Sequence, residues 1–274
     1  MDIASLRQNV VSAALDMRRT HPLVHNITNY VVMQISANVL LAAGASPLMA
    51  HAPEELDDLL SLASALVLNI GTLDQSWLSS MRTAGECAAR HGVPVVLDPV
   101  GAGASRLRTG ASLELLKNAH PAVLRGNASE ILAVAAAEGF SHTAAATRGV
   151  DSTQGSNEAL AAARDLARRH DCVVSVSGER DYITDGEQTV VVSGGSPLMC
   201  RITGMGCSAS ALPAAHVACA ASPLIGAVAA MAAMAEAGEE AARDAKGPGS
   251  FLSAFLDALY LLEPQRIAPR VSLL

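Results

Sequence analysis

The sequence predicts a three-layer α/β fold, with helices on both faces of a mostly parallel central sheet and an antiparallel addition in the C-terminal half. Two runs of strand length are apolar nearly throughout, at residues 65–70 and 94–99, and a third strand, at 122–127, begins with an apolar run. Each precedes a helical pattern, which indicates parallel strands covered on both faces. After residue 171 the strands are short and separated by Gly-containing turns, which is typical of antiparallel hairpins.

The remaining elements follow from periodicity and end signals. Gly44 in the C-terminal capping position closes a helix, Ser222-Pro223 separates two helices, and Ser250 is an expected N-cap for the last helix. The predicted helices cover residues 3–18, 30–43, 53–61, 75–91, 109–118, 129–139, 156–170, 206–220, 223–243 and 249–261. Further strands are predicted at 23–27, 46–50, 172–177, 182–184 and 189–192. Because no repeat or linker interrupts this order, we expect a single domain over residues 1–274.

Composition excludes several classes of function. The net charge is −7 and no Lys/Arg cluster is present, so the basic face of a nucleic-acid binder is missing. Five cysteines with no CxxC pair and no signal-like N-terminus favour reduced thiols and a cytoplasmic location. Residues 202–235 carry no charged side chain, but their prolines and many alanines favour two buried helices over a membrane span.

The segment 203–210, Thr-Gly-Met-Gly-Cys-Ser-Ala-Ser, is the sharpest candidate for chemistry. Gly204 and Gly206 let the backbone turn its N–H groups toward one point, and the helix start adds about half a positive charge. This pattern predicts an anion site suited to a phosphoryl group. Cys207 falls in the first turn, where the helix dipole is expected to lower its thiol pKa. A plain turn with a buried structural cysteine remains the alternative.

A second candidate site lies at the carboxyl ends of two predicted strands. Asp98 ends one strand, and Glu130 follows the next. Such carboxylates can hold Mg²⁺ against phosphate oxygens, and Arg125 offers a fork of donors for phosphate. The alternative for both carboxylates is helix capping and interaction with helix dipoles. Ser177, at the end of a later strand, is a weaker candidate for a nucleotide pocket.

No GxxxxGK[ST] or GxSxG motif occurs, which excludes a P-loop kinase and disfavours an α/β-hydrolase. Together, the segments resemble the hydroxyethylthiazole kinase family, a branch of the ribokinase-like fold. They occur in family order over about residues 20 to 260. The segments are Leu23–Asn29, Gly44–Met49, Asn69–Thr72, Leu97–Gly101, Arg125–Glu130, Gly149–Ser152, Ser177–Glu179, Gly204–Cys207 and Gly247–Phe251.

The resemblance implies an ATP- and Mg²⁺-dependent kinase for the alcohol of 4-methyl-5-(2-hydroxyethyl)thiazole, a step in thiamine salvage. It implies that Cys207 is catalytic, in the place where most ribokinase-like enzymes carry an Asp. The other implied roles are thiazole binding by Met49, Gly204 and Asn26; ATP binding by Arg125, Ser177, Asn127 and Gly206; and magnesium binding by Asp98 and Glu130. The family is trimeric with the site between subunits, which implies a homotrimer.

This chain departs from the family pattern at two positions. Met205 occupies the place of a usual Thr, so a hydroxyl there would be missing and backbone N–H groups would carry the phosphate site. Ser177 replaces a frequent Thr and keeps the hydroxyl. Other functions remain open at this point: a kinase for another small alcohol, an ATP-dependent dehydratase on the related fold, and a non-catalytic binding protein.

Overall fold

The structure, a computed structural model, describes residues 1–141 and 152–274, with side chains described from Glu158 onward in the second part. Nine strands form one sheet in the order β2-β1-β3-β4-β5-β6-β7-β8-β9 within these residues. The strands are β1 (Leu23–Ile27), β2 (Ser46–Met49), β3 (Ala65–Asn69), β4 (Val95–Asp98), β5 (Val123–Asn127), β6 (Val173–Ser177), β7 (Arg180–Thr184), β8 (Thr189–Ser193) and β9 (Val271–Leu273). Strands β1 to β6 are parallel, and β7, β8 and β9 are added antiparallel.

Helices cover both faces of the sheet. They are α1 (Ile3–Thr20), α2 (Met33–Ala43), α3 (Leu56–Leu62), α4 (Gln75–His91), α5 (Arg106–Asn118), α6 (Ala128–Ala137), α7 (Ser152–His170), α8 (Met205–Val217), α9 (Pro223–Ala242) and α10 (Pro248–Tyr260). One apolar core joins α1, α2, α8, α9 and α10 to one face, and a second core joins α3 to α7 to the other. The predicted three-layer architecture is therefore confirmed.

Strand alternation explains how each core receives its side chains. In β3, Val67 belongs to the core on the α8 face, while Leu66 and Leu68 belong to the opposite core. A strand that buries both faces is apolar at nearly every position, which is why β3 and β4 are continuous apolar runs up to their last residue. In β5 the buried Arg125 stands at the centre of the strand.

Several element ends differ from the sequence-based expectations. The helix predicted from residue 30 begins at Met33, because Val31 and Val32 donate their N–H groups to Asn29 in a turn. The expected N-cap at Ser250 is wrong: α10 begins at Pro248, and Ser250 Oγ instead donates to the carbonyl of Gly247. Proline suits the first helical position because it has no N–H to leave unpaired.

Two further differences concern the later part of the chain. Strand β9 was not predicted; it is only three residues long and pairs with β8 at the sheet edge. The helix predicted from residue 156 begins at Ser152. Residues 149–151 of the predicted motif 149–152 lie outside the described residues. The two helices predicted within residues 202–235 are confirmed, with Ser222 capping α9, and no helix in the described ranges is long and apolar enough to cross a membrane.

Candidate active site

Polar side chains collect beneath the start of α8 because of strand register. In β3, β4 and β5, the residue two positions before Asn69, Asp98 or Arg125 belongs to the core on the α8 face. Alternation therefore turns these three polar side chains toward α8 as well. Asn69 and Asp98 are direct neighbours in the parallel ladder. The carboxyl edge of the sheet and the N-terminus of α8 thus meet at one place, as predicted for a ligand site in this fold class.

A continuous hydrogen-bond network links these side chains. Asn69 Nδ2 donates to Asp98 Oδ2 at 2.7 Å, and Ser210 Oγ donates to the same oxygen at 2.7 Å. Asn29 Nδ2 donates to Asn69 Oδ1 at 2.8 Å and lies 3.5 Å from Cys207 Sγ. The network therefore runs from the Asp98 carboxylate to the Cys207 thiol through two amides.

Asp98 is a desolvated carboxylate, 2 % exposed. Burial raises its pKa to about 7, against the opposing effects of the Arg125 charge and the hydrogen bonds from Ser210 and Asn69. Asp98 caps no helix, since the N-cap of α5 is Ser105. The capping alternative is therefore wrong for Asp98. A carboxylate held in this way is characteristic of functional sites, where a bound cation would favour its charged form.

Cys207 lies in the first turn of α8, as predicted, but its thiol is not activated by the helix dipole. Burial raises its pKa to about 11, and the neighbouring charge of Asp98 acts in the same direction. The hydrogen bonds from Asn69 and Asn29 oppose this shift without overcoming it. The expectation of a lowered pKa is therefore wrong, because desolvation of a thiolate outweighs half a charge from the helix. In this structure Cys207 is a thiol at neutral pH.

Arg125 is buried, with 7 % of its surface exposed. Its Nη1 donates to the Gly206 carbonyl at 2.9 Å, which ties β5 to the start of α8. Its Nε is buried and has no hydrogen-bond partner among the residues that the structure describes. No carboxylate within 1–141 or 152–274 forms an ion pair with this guanidinium at salt-bridge distance. A buried guanidinium with so few partners is costly unless an anion completes its surroundings.

The start of α8 lacks a capping side chain. Gly204 is its N-cap with φ +86°, and no side chain of the described residues caps the first N–H groups. A Cβ at Gly204 would lie 2.5 Å from Ile35 Cγ2, so both the left-handed backbone and the close approach of α2 require glycine. α2, α3 and α10 also begin without a capping side chain, whereas α1, α4, α5, α6 and α9 each carry one. The free N–H groups of α8 thus remain available to an anion.

The Met205 side chain is part of the apolar core and adds no polar group to the candidate anion site at the start of α8. It is 5 % exposed and belongs to the apolar core on the α8 face. Methionine at this position therefore contributes to core packing. It does not supply the hydroxyl that a Thr would provide.

Glu130 and Asn127 cap a helix, which was the alternative left open for the acidic residue. Asn127 Oδ1 accepts from Glu130 N at 2.9 Å, and Glu130 Oε2 accepts from Asn127 N at 2.8 Å. Glu130 Oε1 also accepts from Gly101 N at 2.8 Å. Both carboxylate oxygens are thus held by backbone N–H groups beside the loop that follows Asp98.

The remaining predicted site residues lie at the same sheet edge. Met49 ends β2 and pairs with Asn26 of β1. Strand β3 separates β1 from β4, which carries Asp98, so these two residues lie to one side of the hydrogen-bond network around Asp98. Asn26 is 1 % exposed; its Nδ2 donates to the Val24 carbonyl, and its buried Oδ1 has no hydrogen-bond partner in the described part of the chain. Ser177 pairs with Asn127 across β5 and β6, and its hydroxyl donates to the Gly126 carbonyl at 3.4 Å.

Several residues that shape the site were given no role on the basis of the sequence. Asn29, Asn69 and Ser210 belong to the hydrogen-bond network, although the first two occur in the segments that resemble the family. A polar residue directly after an apolar strand, as Asn69 is, was an available signal. Arg108 was missed altogether: it donates to the carbonyls of Ile70, Gly71 and Val100, and so joins the loops after β3 and β4.

The carboxylates fit magnesium only as part of a metal–nucleotide complex. No group of three or more His, Cys, Asp or Glu side chains in the described part of the chain could hold a metal ion. Magnesium in nucleotide sites usually keeps several waters and uses one or two carboxylates together with phosphates. Asp98, buried and only partly compensated, fits that donor set. Glu130 fits it through bridging waters, because its oxygens already accept backbone N–H groups.

The fold is that of the ribokinase-like class. A ribokinase-like superfamily protein from Enterococcus faecalis has the same fold, with a TM-score of 0.63 at 11% identity over 86% of both chains. The profile of the Hydroxyethylthiazole kinase family matches residues 15–265. The chain therefore belongs to the hydroxyethylthiazole kinase family.

Individual members of the family are similar to this chain over nearly its full length. The chain is 57% identical over 255 residues to the hydroxyethylthiazole kinase of Nitratidesulfovibrio vulgaris, which covers 93% of both sequences. It is also similar to the structure of a hydroxyethylthiazole kinase protein from Pyrococcus horikoshii. That comparison gives a TM-score of 0.89 at 42% identity, over 97% of this chain and 99% of the other.

Proposed function

We propose that this protein transfers the γ-phosphoryl group of ATP to the hydroxyl of 4-methyl-5-(2-hydroxyethyl)thiazole, a step in thiamine salvage. Family membership supports the reaction. The observation that carries it in the structure is Arg125, a buried guanidinium beside the start of α8; among the described residues its Nε has no hydrogen-bond partner and no side chain caps that helix. Donors and positive charge at one point suit a phosphate.

Residue roles follow from this placement. Arg125, Gly206, Asn127 and Ser177 are proposed to surround the nucleotide, and Met49, Asn26 and Gly204 the thiazole. Asp98 directly and Glu130 through water are proposed to serve Mg²⁺, which would neutralise phosphate charge when bound. Phosphoryl transfer passes through a loose transition state and depends mainly on positioning and charge, so a strong base is not required.

Cys207 is proposed as the group next to the substrate hydroxyl. Its thiol receives a donor, Asn29 Nδ2 at 3.5 Å, and stands in the first turn of the anion-binding helix. Because its pKa is raised to about 11, proton acceptance by Cys207 requires a change in its surroundings when Mg-ATP binds. The positive charge of the metal would supply part of that change by compensating the Asp98 carboxylate, whose charge raises the Cys207 pKa.

We also propose that the chain acts as a single domain in a cytoplasmic homotrimer, with sites between subunits. The support is local: β2, which carries Met49, is an edge strand with four half-buried residues. Tyr30 and Val31, directly after Asn29, are 61% and 62% exposed. Light scattering is expected to give three times the 28.1 kDa chain mass, and a monomeric active enzyme would contradict the shared site.

The test of function is ADP release with Mg-ATP and the thiazole, beside a reaction without thiazole and the Cys207→Ala variant. Thiazole-dependent release is expected, with a thiazole product that has gained phosphate by mass. Turnover is expected to fall by about 10²- to 10⁴-fold in Cys207→Ala. A loss of turnover below about threefold in Cys207→Ala would show that Cys207 takes no part in the chemistry. No turnover by folded wild-type protein would show that this thiazole is not the substrate.

A further inference from the structure

Ser210 and Asn69 bond the same carboxylate oxygen of Asp98. Both donor–acceptor distances to Oδ2 are 2.7 Å. Oδ1 has no hydrogen-bond donor among the residues that the structure describes. Two donors on one oxygen fix the rotation of the carboxylate and leave the other oxygen for a different partner.

The two donors come from different layers of the fold. Asn69 lies beside Asp98 in the sheet, whereas Ser210 reaches it from α8, one turn after Gly206. Ser210 is fully buried, and its hydroxyl also lies 3.5 Å from the Gly206 carbonyl, which accepts from Arg125. Ser210 therefore fixes the position of the Asp98 carboxylate relative to α8, the helix whose N-terminus forms the candidate anion site.

We propose that Ser210 is a positioning residue, which orients the Asp98 carboxylate so that Oδ1 serves the metal–nucleotide complex. This inference rests on the proposed nucleotide site and extends it to a residue that makes no hydrogen bond to Cys207 or Arg125 itself. Ser210 acts through Asp98, so its removal weakens the metal-dependent part of nucleotide binding.

α8 offers a matched control. Ser208 is also fully buried on the same helix, but its Oγ has no hydrogen-bond partner within the described residues. Ser208→Ala and Ser210→Ala remove the same atom from the same buried helix. Only the second substitution removes a hydrogen bond to Asp98.

Calorimetric titrations with Mg-ADP, and with ADP in excess chelator, distinguish an effect of the substitution on the orientation of Asp98 from a general packing defect. Ser210→Ala is expected to weaken Mg-ADP binding by about 5- to 20-fold, since a hydrogen bond to a charged group is lost. Binding of metal-free ADP should change less than about twofold, and Ser208→Ala should behave as wild type in both titrations. Ser210→Thr keeps the hydroxyl and is expected to restore Mg-ADP affinity.

Each other outcome overturns the proposal. Unchanged Mg-ADP affinity in Ser210→Ala would mean that Asp98 needs no orientation, and an equal loss with and without metal would indicate a packing defect. A similar loss in Ser208→Ala would lead to the same conclusion. If Ser210→Ala does not fold, the nearly isosteric Ser210→Cys gives the same comparison. Because the titrations contain no thiazole, they remain decisive even if the thiazole proves not to be the substrate.

Discussion

Asn29 Nδ2 lies 3.5 Å from Cys207 Sγ and 2.8 Å from Asn69 Oδ1, so one amide joins the thiol to the buried carboxylate network. This hydrogen bond favours the thiolate, but desolvation and the neighbouring charge of Asp98 raise the pKa of Cys207 by more than the bond lowers it. The thiol therefore resists ionisation even though it occupies a helix start. Its reactivity gives a direct check of this conclusion.

Alkylation of Cys207 by iodoacetamide is expected to be slow at neutral pH. A pKa of about 11, against an ordinary value of 9.0, lowers the thiolate fraction by about 100-fold. The rate should rise about tenfold per pH unit up to about pH 11. Peptide mass spectrometry can follow Cys207 beside the exposed Cys200 in the same sample. An alkylation rate of Cys207 that levels off below pH 9 would contradict the raised pKa and support a thiol activated by the helix dipole.

Asp98→Asn is expected to stabilise the protein at alkaline pH while removing its proposed metal contact. The folded-state pKa is about 7 and the ordinary value is 3.8. The contribution of Asp98 to the free energy of unfolding is therefore largest below about pH 4 and is lost as pH rises through 7. Asn can still accept from Asn69 and Ser210, so the variant avoids only the cost of the buried charge.

Thermal unfolding at pH 5.5 and pH 8.5, without nucleotide or metal, checks this expectation. The gain in Tm of Asp98→Asn over wild type should be larger at pH 8.5, by several degrees for a change of a few kcal/mol. An equal gain at both values would show that Asp98 does not titrate between them. A lower Tm at pH 8.5 would show that the charged form is favoured in the folded state.

The fold was predictable because its strands are buried on both faces. A continuous apolar run as short as 65–70, followed by a helix, is typical of a strand inside a covered parallel sheet, and the polar residues after such runs mark the functional edge. The ends of elements were less certain, because Asn29 and Gly247 form local turns that periodicity does not detect. Strand β9 is too short to carry a pattern, and it owes its place to pairing with β8.

The chemistry of the site was predictable only in part. Motif matching placed Asp98, Arg125 and Cys207 together, but their protonation depends on burial, which no spacing reports. The helix dipole at Cys207 can be inferred from the sequence, whereas desolvation by the surrounding core cannot. Ser210 and Arg108 act through partners 112 and 37 residues away along the chain, respectively, and local sequence gives no signal of such contacts.

Arg125→Met is expected to weaken ATP binding without destabilising the protein. The guanidinium is buried with one hydrogen bond to Gly206 and an unpartnered Nε, so its removal relieves a desolvation cost. Loss of charge-assisted contacts to phosphate should raise the Kd for ATP by about 10- to 100-fold. Calorimetry and thermal unfolding measure the two effects separately. Unchanged ATP affinity would remove Arg125 from the nucleotide site.

Arg108→Met is the matched contrast, because this arginine is well partnered. Its Nη1 donates to Ile70 O at 3.0 Å and Val100 O at 2.7 Å, and its Nη2 donates to Gly71 O at 2.5 Å. These bonds satisfy carbonyls in the loops that follow Asn69 and Asp98. Removing a charged donor from several carbonyls costs about 2–4 kcal/mol, which corresponds to a fall in Tm of roughly 5–10 °C.

The same substitution should affect activity through loop position and not through phosphate contact. At a temperature where Arg108→Met is fully folded, we expect kcat to fall because the loops around Asp98 are less fixed, while ATP affinity falls less than in Arg125→Met. Circular dichroism at the assay temperature verifies folding before the kinetics are compared. A Tm equal to that of wild type would mean that the three carbonyls are satisfied as well by water. A loss of nucleotide affinity as large as that of Arg125→Met would place Arg108 in the phosphate site itself.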